Sequence, residues 1–357
     1  MGRKIVVIGA GIIGAAIAYH LSANGADVTV IEKSVPASGA TAKSFAWINA
    51  HFAETPEFFA LRMASLATWQ TLEKEINHVE FKVRWGGSLS WGDSNAEQMD
   101  RAKALTELGY RLNIINTAEF SKLEPALKPP EGNCLHALDE GAIDPVRATR
   151  VLLQAATRRG ARMIYGCGIK QLLMQHKCIT GVATPFGEIA TDDVVIAAGV
   201  WSHDLLAPVG VSLPMDNSHS IIVRTTPAEP LISRVILSPD VHFRQDLDGS
   251  IIFAESFSGG EIGGDPSKSA AKILNLLRHR VPGLGDIRIE SIEVGNRPIP
   301  ADGFPVIGRA PGIEGLYLAI MHSGITLAPI VGKLASQELL ANRQPELLSP
   351  YRLSRFQ

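Results

Sequence analysis

Cysteine is scarce in this sequence. Only Cys134, Cys167 and Cys178 occur in 357 residues, and no two are spaced as CxxC, so neither a disulfide framework nor a zinc site is expected. The three are read as buried, inert thiols in a reducing, cytoplasmic setting. An excess of one charge is missing too. The 34 basic and 36 acidic residues leave a formal net charge of −2, and the isoelectric point is near 6.6, which argues against a nucleic-acid surface. No internal repeat or low-complexity tract stands out. The apolar run after Arg3 and Lys4 is too short and too rich in glycine to span a membrane, and those glycines make it a poor signal-peptide core. The chain is 46% hydrophobic and 20% charged, the balance of a globular protein of two domains or one large one.

That N-terminal run, KIVVIGAGIIGAAIAYHLSANGADVTVIEK from residue 4 to 33, is the most informative stretch. Ile5–Ile8 reads as a buried parallel strand. Gly9, Gly11 and Gly14 form GxGxxG: the first allows a tight turn, the second a close approach of backbone to a pyrophosphate, the third close packing of helix on strand. The helix N-terminus that follows offers free N–H groups and a positive dipole end to phosphates. Gly25 suits the helix end. Ala26–Ile31 is the second strand, and Glu32 closes it eighteen residues after Gly14, placed to accept hydrogen bonds from a ribose diol. Strand, turn, helix, strand and acid in register predict a bound adenine dinucleotide.

Further along, residues 56–76 carry apolar positions at helical spacing, with Trp69 and Met63 as core. Residues 79–92 read as strands with a glycine turn, and 95–110 as a polar helix. Asp144 caps a helix that Pro145 opens and Gly160 stops, with Arg158 and Arg159 as solvated partners of its dipole. Residues 169–190 suggest a three-stranded meander. Asp193–Gly199 is another buried parallel strand running into glycine, the place where open α/β sheets hold ligands. Alternation from Pro214 to Val294 predicts an antiparallel sheet interrupted by a helix near 267–280. The βα unit GLYLAIMHSGITLAPIVGKLASQELL returns the chain to the nucleotide domain, and PELLSPYRLSRFQ looks like a polar tail. The fold class is α/β: a Rossmann-like domain of residues 1–78, 141–210 and 298–345, and an antiparallel-sheet α+β substrate domain of 79–140 and 211–297, with 346–357 as tail.

GAGIIG with Glu32, SGATAKS, GAIDP, DVVIAAGVWS, RPIPADGFPVIG and GLYLAIMHSGITLAP, in this order over residues 4 to about 340, resemble the FAD-dependent glycine oxidase / D-amino-acid oxidase family. The resemblance implies a glutathione-reductase-like FAD domain. Gly9, Gly11, Ile12, Ile13 and Gly14 would line the pyrophosphate, and Glu32 would hold the adenosine ribose with Lys33 beside it. Thr41 and Ser44 would contact phosphates or ribityl chain. Ile169 would flank the adenine, and Ala198 and Gly199 would pass the pyrophosphate. Gly324, Ile325 and Thr326 would point helix N–H groups at the flavin N1–C2=O edge, where the reduced ring carries negative charge.

Arg297 matches the arginine with which this family clamps a substrate carboxylate. His242 and Arg244 fall where it places further substrate contacts, and Trp47 and His51 where its N-terminal loop nears the flavin. Two departures stand out. Met321 replaces a common glycine, and the second arginine that glycine oxidase has in this loop is missing, which implies fewer charges on the carboxylate or a larger substrate. No cysteine lies near 297–308 to tether flavin, so FAD is expected to be non-covalent. The implied reaction is hydride transfer from an amine-bearing carbon to flavin N5, giving an imine that hydrolyses, with His51, His242 or His322 available to take a proton. Oxygen or another acceptor, a homo-oligomer or an assembly with partner subunits, and the substrate itself stay open. The competing readings are a flavin-carrying subunit active only with partners and an NAD-linked dehydrogenase.

Overall fold

A computed structural model describes residues 2–51, 53–92, 94–254 and 265–357. The chain opens with strand β1 (Lys4–Ile8), helix α1 (Ile12–Ala23) and β2 (Asp27–Ile31). A hairpin-like pair, β3 (Trp47–Ile48) and β7 (Gly141–Ala142), flanks a long excursion. That excursion holds α2 (Pro56–Ile76), β4 (Ser88–Ser90), α3 (Asn95–Glu107), β5 (Leu112–Ile115), α4 (Thr117–Leu123) and β6 (Cys134–Ala137). Then come α5 (Pro145–Arg158), β8 (Arg162–Ile164), the meander β9 (Gln171–Gln175), β10 (Cys178–Thr184) and β11 (Gly187–Ala190), β12 (Asp193–Ile196) and α6 (Ser202–Leu206). The second half supplies β13 (Met215–Thr225), β14 (Val235–Leu237), β15 (His242–Gln245), β16 (Ile251–Ala254), α7 (Pro266–Arg280), β17 (Ile289–Pro300), β18 (Val306–Arg309), β19 (Leu316–Ile320) and α8 (Gly324–Ala341).

Two sheets organise these elements. The first has the order β18-β19-β12-β1-β2-β8, parallel except for β18. From β1 the chain moves outward to β2 and β8 on one side and returns to β12 and β19 on the other. The strand order therefore reverses between β1 and β12, opening a crevice at their carboxyl ends. α1 lies between α5 and α8 on this sheet. It approaches α8 so closely that a Cβ on Gly332 would lie 2.7 Å from the Ala16 carbonyl oxygen. The second sheet, β17-β13-β16-β15-β14-β4-β6-β5, is antiparallel except at β14–β4, with α7 packed beneath it over Ile273, Leu277 and Phe253.

Three expectations change. Of residues 79–92, only Ser88–Ser90 forms a strand. The expected domain boundary at residue 297 falls inside β17, which pairs with β13 continuously from Ser291 to Pro300. The terminal segment is no polar tail: Glu346–Tyr351 and Leu353–Phe356 are 3-10 turns that bury Leu348, Tyr351 and Leu353. Arg352 there pairs with the buried Glu338 at 2.8 Å and donates to the Ile307 carbonyl, and Gly308, with φ +135°, makes room for it. Cys134 and Cys167 are buried, Cys178 is half-buried, and none is bonded to another.

Candidate active site

A cavity of about 1260 Å3 starts at the crevice between β1 and β12 and runs to the first turn of α8 and the near edge of the second sheet. Pockets of roughly 300–1,000 Å3 hold drug-sized ligands, so this one has room for a dinucleotide and a small second molecule.

The glycine turn is built as its spacing requires. Gly9 has φ +106°, and a Cβ there would lie 2.4 Å from the Ala197 carbonyl oxygen on the neighbouring strand. Gly11 faces the cavity, and only the Thr41 hydroxyl lies near its missing side chain. Gly14 does not line the cavity. A Cβ on it would meet the Gly9 carbonyl oxygen at 2.0 Å, so its role is to let α1 pack on the turn, and a pyrophosphate contact is withdrawn for it. Thr41 Oγ1 accepts from the Ile12 N–H at 3.1 Å, satisfying one free donor of α1. The Glu32 carboxylate accepts from the Ala10 and Ser34 N–H groups, each at 2.9 Å, and still faces the cavity. Lys33 Nζ stands 3.3 Å above the Trp201 ring. Ser44 Oγ accepts from Ala46 N at 3.0 Å, holding that residue at φ +53°. Ile12, Ile13, Ile169, Ala198 and Gly199 complete this end. A glycine cradle left bare toward the cavity at Gly11, an acid at the second strand's tip and the N-terminal end of α1 fit an adenine dinucleotide.

At the far end, Gly324, Ile325 and Thr326 open α8 into the cavity. Ser323, at φ +57°, precedes them and caps nothing with its side chain. Thr326 Oγ1 donates to the Trp47 carbonyl at 3.1 Å and accepts from Asn49 N at 3.3 Å. The helix start and the β3 loop thus form one unit. Trp47 lines the cavity, and its indole donates to Glu140 Oε2 at 2.8 Å behind the wall. Burial pushes Glu140 up to about 7, and Tyr110 donates its hydroxyl to the same carboxyl.

Arg297 lies on the cavity wall at the end of β17, half-buried, with Nη2 donating to the His219 carbonyl at 3.1 Å. His242, on β15, and His322 also line it. Burial holds the His242 imidazole down to about 4. The His322 ring is exposed, but to a cavity enclosed by protein. That enclosure and the Arg297 and Arg62 cations push it to about 4 as well.

Two expected contacts do not reach the cavity. His51 is buried behind the wall, its Nδ1 3.9 Å from Glu140, with burial lowering it to about 4. Arg244 is 2% exposed, donates to the Phe45 carbonyl at 2.6 Å and pairs with Asp246. With its guanidinium committed there, it braces the wall and is withdrawn as a substrate contact.

Among the lining residues that were not anticipated, one is a buried cation. Arg62, on α2, is buried and reaches the cavity beside Ser323. It shares a helix face with Ser65 and Trp69, which donate to the Thr326 carbonyl, Trp69 also to that of Ile325. The signal was present: residues 62, 65, 69 and 72 fall on the apolar stripe of that helix, where an arginine is out of place.

Among the described residues no group of acidic, histidine or cysteine side chains is arranged to hold a metal ion, and no helix is long and apolar enough to cross a membrane. Comparison with known proteins agrees with the cavity. The chain is 26% identical to the glycine oxidase of Pseudomonas putida over 97% of this chain and 96% of that protein. It is 27% identical to the uncharacterized oxidoreductase YurR of Bacillus subtilis over 98% of both. Its fold matches the crystal structure of L-proline dehydrogenase from P. horikoshii with a TM-score of 0.88 at 24% identity, covering 99% of this chain and 98% of that one. The DAO family model, FAD dependent oxidoreductase, matches residues 4–338, and with a cavity built to hold its cofactor the chain belongs to that FAD-dependent family.

Proposed function

We propose that this protein oxidises the carbon–nitrogen bond of an amino acid or secondary amine, with FAD held non-covalently. The observation that carries the reading is Arg297: a half-buried guanidinium on the wall of the cavity that also contains the glycine turn and the start of α8. Its planar fork matches a carboxylate, and the names of the relatives, glycine oxidase and L-proline dehydrogenase, support an amino-acid donor.

When bound, FAD would supply the hydride acceptor, with oxygen or another acceptor as the final oxidant. The chain does the rest. Arg297 fixes the carboxylate so that the adjacent C–H has one orientation, a proximity effect. The N–H groups of Gly324, Ile325 and Thr326 and the positive end of α8, which open into the cavity, would favour negative charge on a ring held against them. His242 and His322, held near 4, are neutral at physiological pH. They carry no standing charge there and are not the stores of the amine's proton; the amine reacts in its neutral form, after its proton has left to water.

The test is anaerobic titration of the flavin-loaded protein with a panel of amino acids and secondary amines, followed by air. Bleaching near ~450 nm, where oxidised flavin absorbs, by one class identifies the donor, and the speed of recovery separates oxidase from dehydrogenase. Bleaching by no member of the panel overturns the reading. Arg297→Ala should raise KM for carboxylate donors at least ~100-fold, the scale of a lost charge-assisted pair. An unchanged kcat/KM would make Arg297 structural.

A further inference from the structure

Arg62 carries a charge that the reading above does not use. It is 5% exposed, projects from α2 and forms part of the cavity wall. Nη1 donates to Asn49 Oδ1 at 2.9 Å, Nη2 donates to Ser323 Oγ, and Nε is buried without a hydrogen-bond partner. Both acceptors are neutral. Glu54 and Glu140 act on the guanidinium through space, yet among the described residues no carboxylate pairs with it.

Burying a cation without a counter-charge is unfavourable, and the penalty is removed when an anion arrives. The surroundings add to the demand. Ser323 immediately precedes the first turn of α8, whose dipole presents its positive end at the same wall. His322 feels both Arg297 and Arg62, so the two guanidiniums lie within electrostatic reach of one ring. A single carboxylate held by Arg297 leaves Arg62 uncompensated.

We propose that Arg62 is a second anion anchor of the cavity and that the donor is an amine bearing two acidic groups, an aminodicarboxylate or an N-carboxyalkyl amino acid, one on Arg297 and the other on Arg62. This rests on the amine-oxidation reading of the same cavity. It also accounts for the loop at 321–324 having no arginine of its own: the charge reaches that loop from α2, through Ser323.

The experiment uses the FAD-loaded protein and follows the flavin spectrum during titration with malonate, succinate and glutarate and with acetate, propionate and butyrate as matched monocarboxylates. The native protein is expected to bind the best dicarboxylate at least tenfold tighter than its matched monocarboxylate. Arg62→Gln should reduce that preference to threefold or less, Arg62→Lys should keep part of it, and Arg297→Gln should weaken both classes. Flavin content, melting temperature and flavin midpoint potential are measured on each variant. No dicarboxylate preference in the native protein overturns the proposal, and that arm does not depend on any variant folding. So does a preference unchanged in Arg62→Gln, and so does a lowered potential with the preference intact, which would assign Arg62 to the cofactor's own negative charge. If dicarboxylates are preferred but no amine bleaches the flavin, the oxidation reading fails while the anchor stands. Bleaching by amines without the preference does the reverse.

Discussion

The glycine turn supports a prediction that separates packing from binding. In Gly14→Ala the new Cβ would start 2.0 Å from the Gly9 carbonyl oxygen and 3.1 Å from its carbon. Both atoms are backbone at the end of a buried strand, so neither can rotate away. Contact beyond 3 Å requires the start of α1 to move by about 1 Å, and overpacking of this kind costs roughly 1–3 kcal/mol. The shift also carries the N–H groups of the first turn away from the phosphates. In Gly11→Ala the Cβ meets only the Thr41 hydroxyl, at 3.2 Å, so the fold gives way by a few tenths of an ångström and stays within about 0.5 kcal/mol of native. The new methyl nevertheless occupies the space through which a pyrophosphate would approach. Urea unfolding of the flavin-free proteins and FAD titration by fluorescence quenching measure the two effects. Gly14→Ala should lose both stability and affinity. Gly11→Ala should keep its stability and bind FAD at least ~30-fold more weakly, the equivalent of about 2 kcal/mol. A Gly11→Ala protein that binds FAD like the native chain would refute the placement of the pyrophosphate against this turn.

Arg352→Met should destabilise the protein by about 3–5 kcal/mol, because it leaves the buried Glu338 carboxylate without its cation; a loss below about 0.5 kcal/mol in urea unfolding would mean that the C-terminal turns are dispensable. Glu140→Gln should cost about 1–3 kcal/mol at pH 8, where the ionised carboxylate accepts from both Trp47 and Tyr110 and an amide, with one acceptor oxygen, leaves a buried donor unsatisfied. Its pH dependence has a definite sign. Glu140 is raised to about 7, so the folded state holds a proton that the unfolded state has already released; that contribution is complete below the unfolded value and is lost as pH rises through 7. Buried histidines act oppositely: His51, His242 and His20 are lowered to about 4, so stability falls as pH drops from about 6.5 to 4, by up to ~3 kcal/mol for the fully buried His51. Native protein should therefore lose melting temperature on acidification across that window, and Glu140→Gln should lose it more steeply. A flat profile in both would contradict the burial of these imidazoles as neutral rings.

The dinucleotide half of the site was legible because its determinants are local. Turn, helix and acid lie within the stretch from Ile5 to Glu32, and each glycine answers a constraint set by residues a few positions away. Gly14 was readable as a packing residue on the same grounds, and crediting it with a pyrophosphate contact added what local geometry denies. The C-terminal turns were misread because a polar composition conceals a 3-10 period: Leu348, Tyr351 and Leu353 point inward while Ser349 and Pro350 face water and Arg352 turns in to Glu338. The boundary at 297 was misplaced because alternation in a strand stops when solvent exposure changes, whereas β17 continues for as long as β13 offers it partners.

The substrate half was harder, and the reason is depth. A strand pattern says which residues alternate, not how far each lies behind a wall. His242 and Arg244 share one face of β15, yet the first lines the cavity and the second is sealed under Phe45. Trp47 and His51 share a loop, yet Glu140 receives the indole of one and backs onto the ring of the other. Arg62 shows the converse case. Its position on the apolar stripe of α2 reads as a fault in a core helix, and only the packing of α2 against the first turn of α8 turns it into a charge at the cavity. Ser65 and Trp69 hold that turn through its carbonyls, so the start of α8 is set by α2 and not by its own cap, which Ser323 does not supply. The position of the anion-favouring end of α8 therefore depends on a helix more than 250 residues earlier in the chain. Substitutions at Ser65 or Trp69, which touch no ligand, should consequently displace the N–H groups of Gly324–Thr326 and lower the flavin midpoint potential, whereas equally buried changes at Leu152, on the far side of α1, should lower stability and leave the potential where it is.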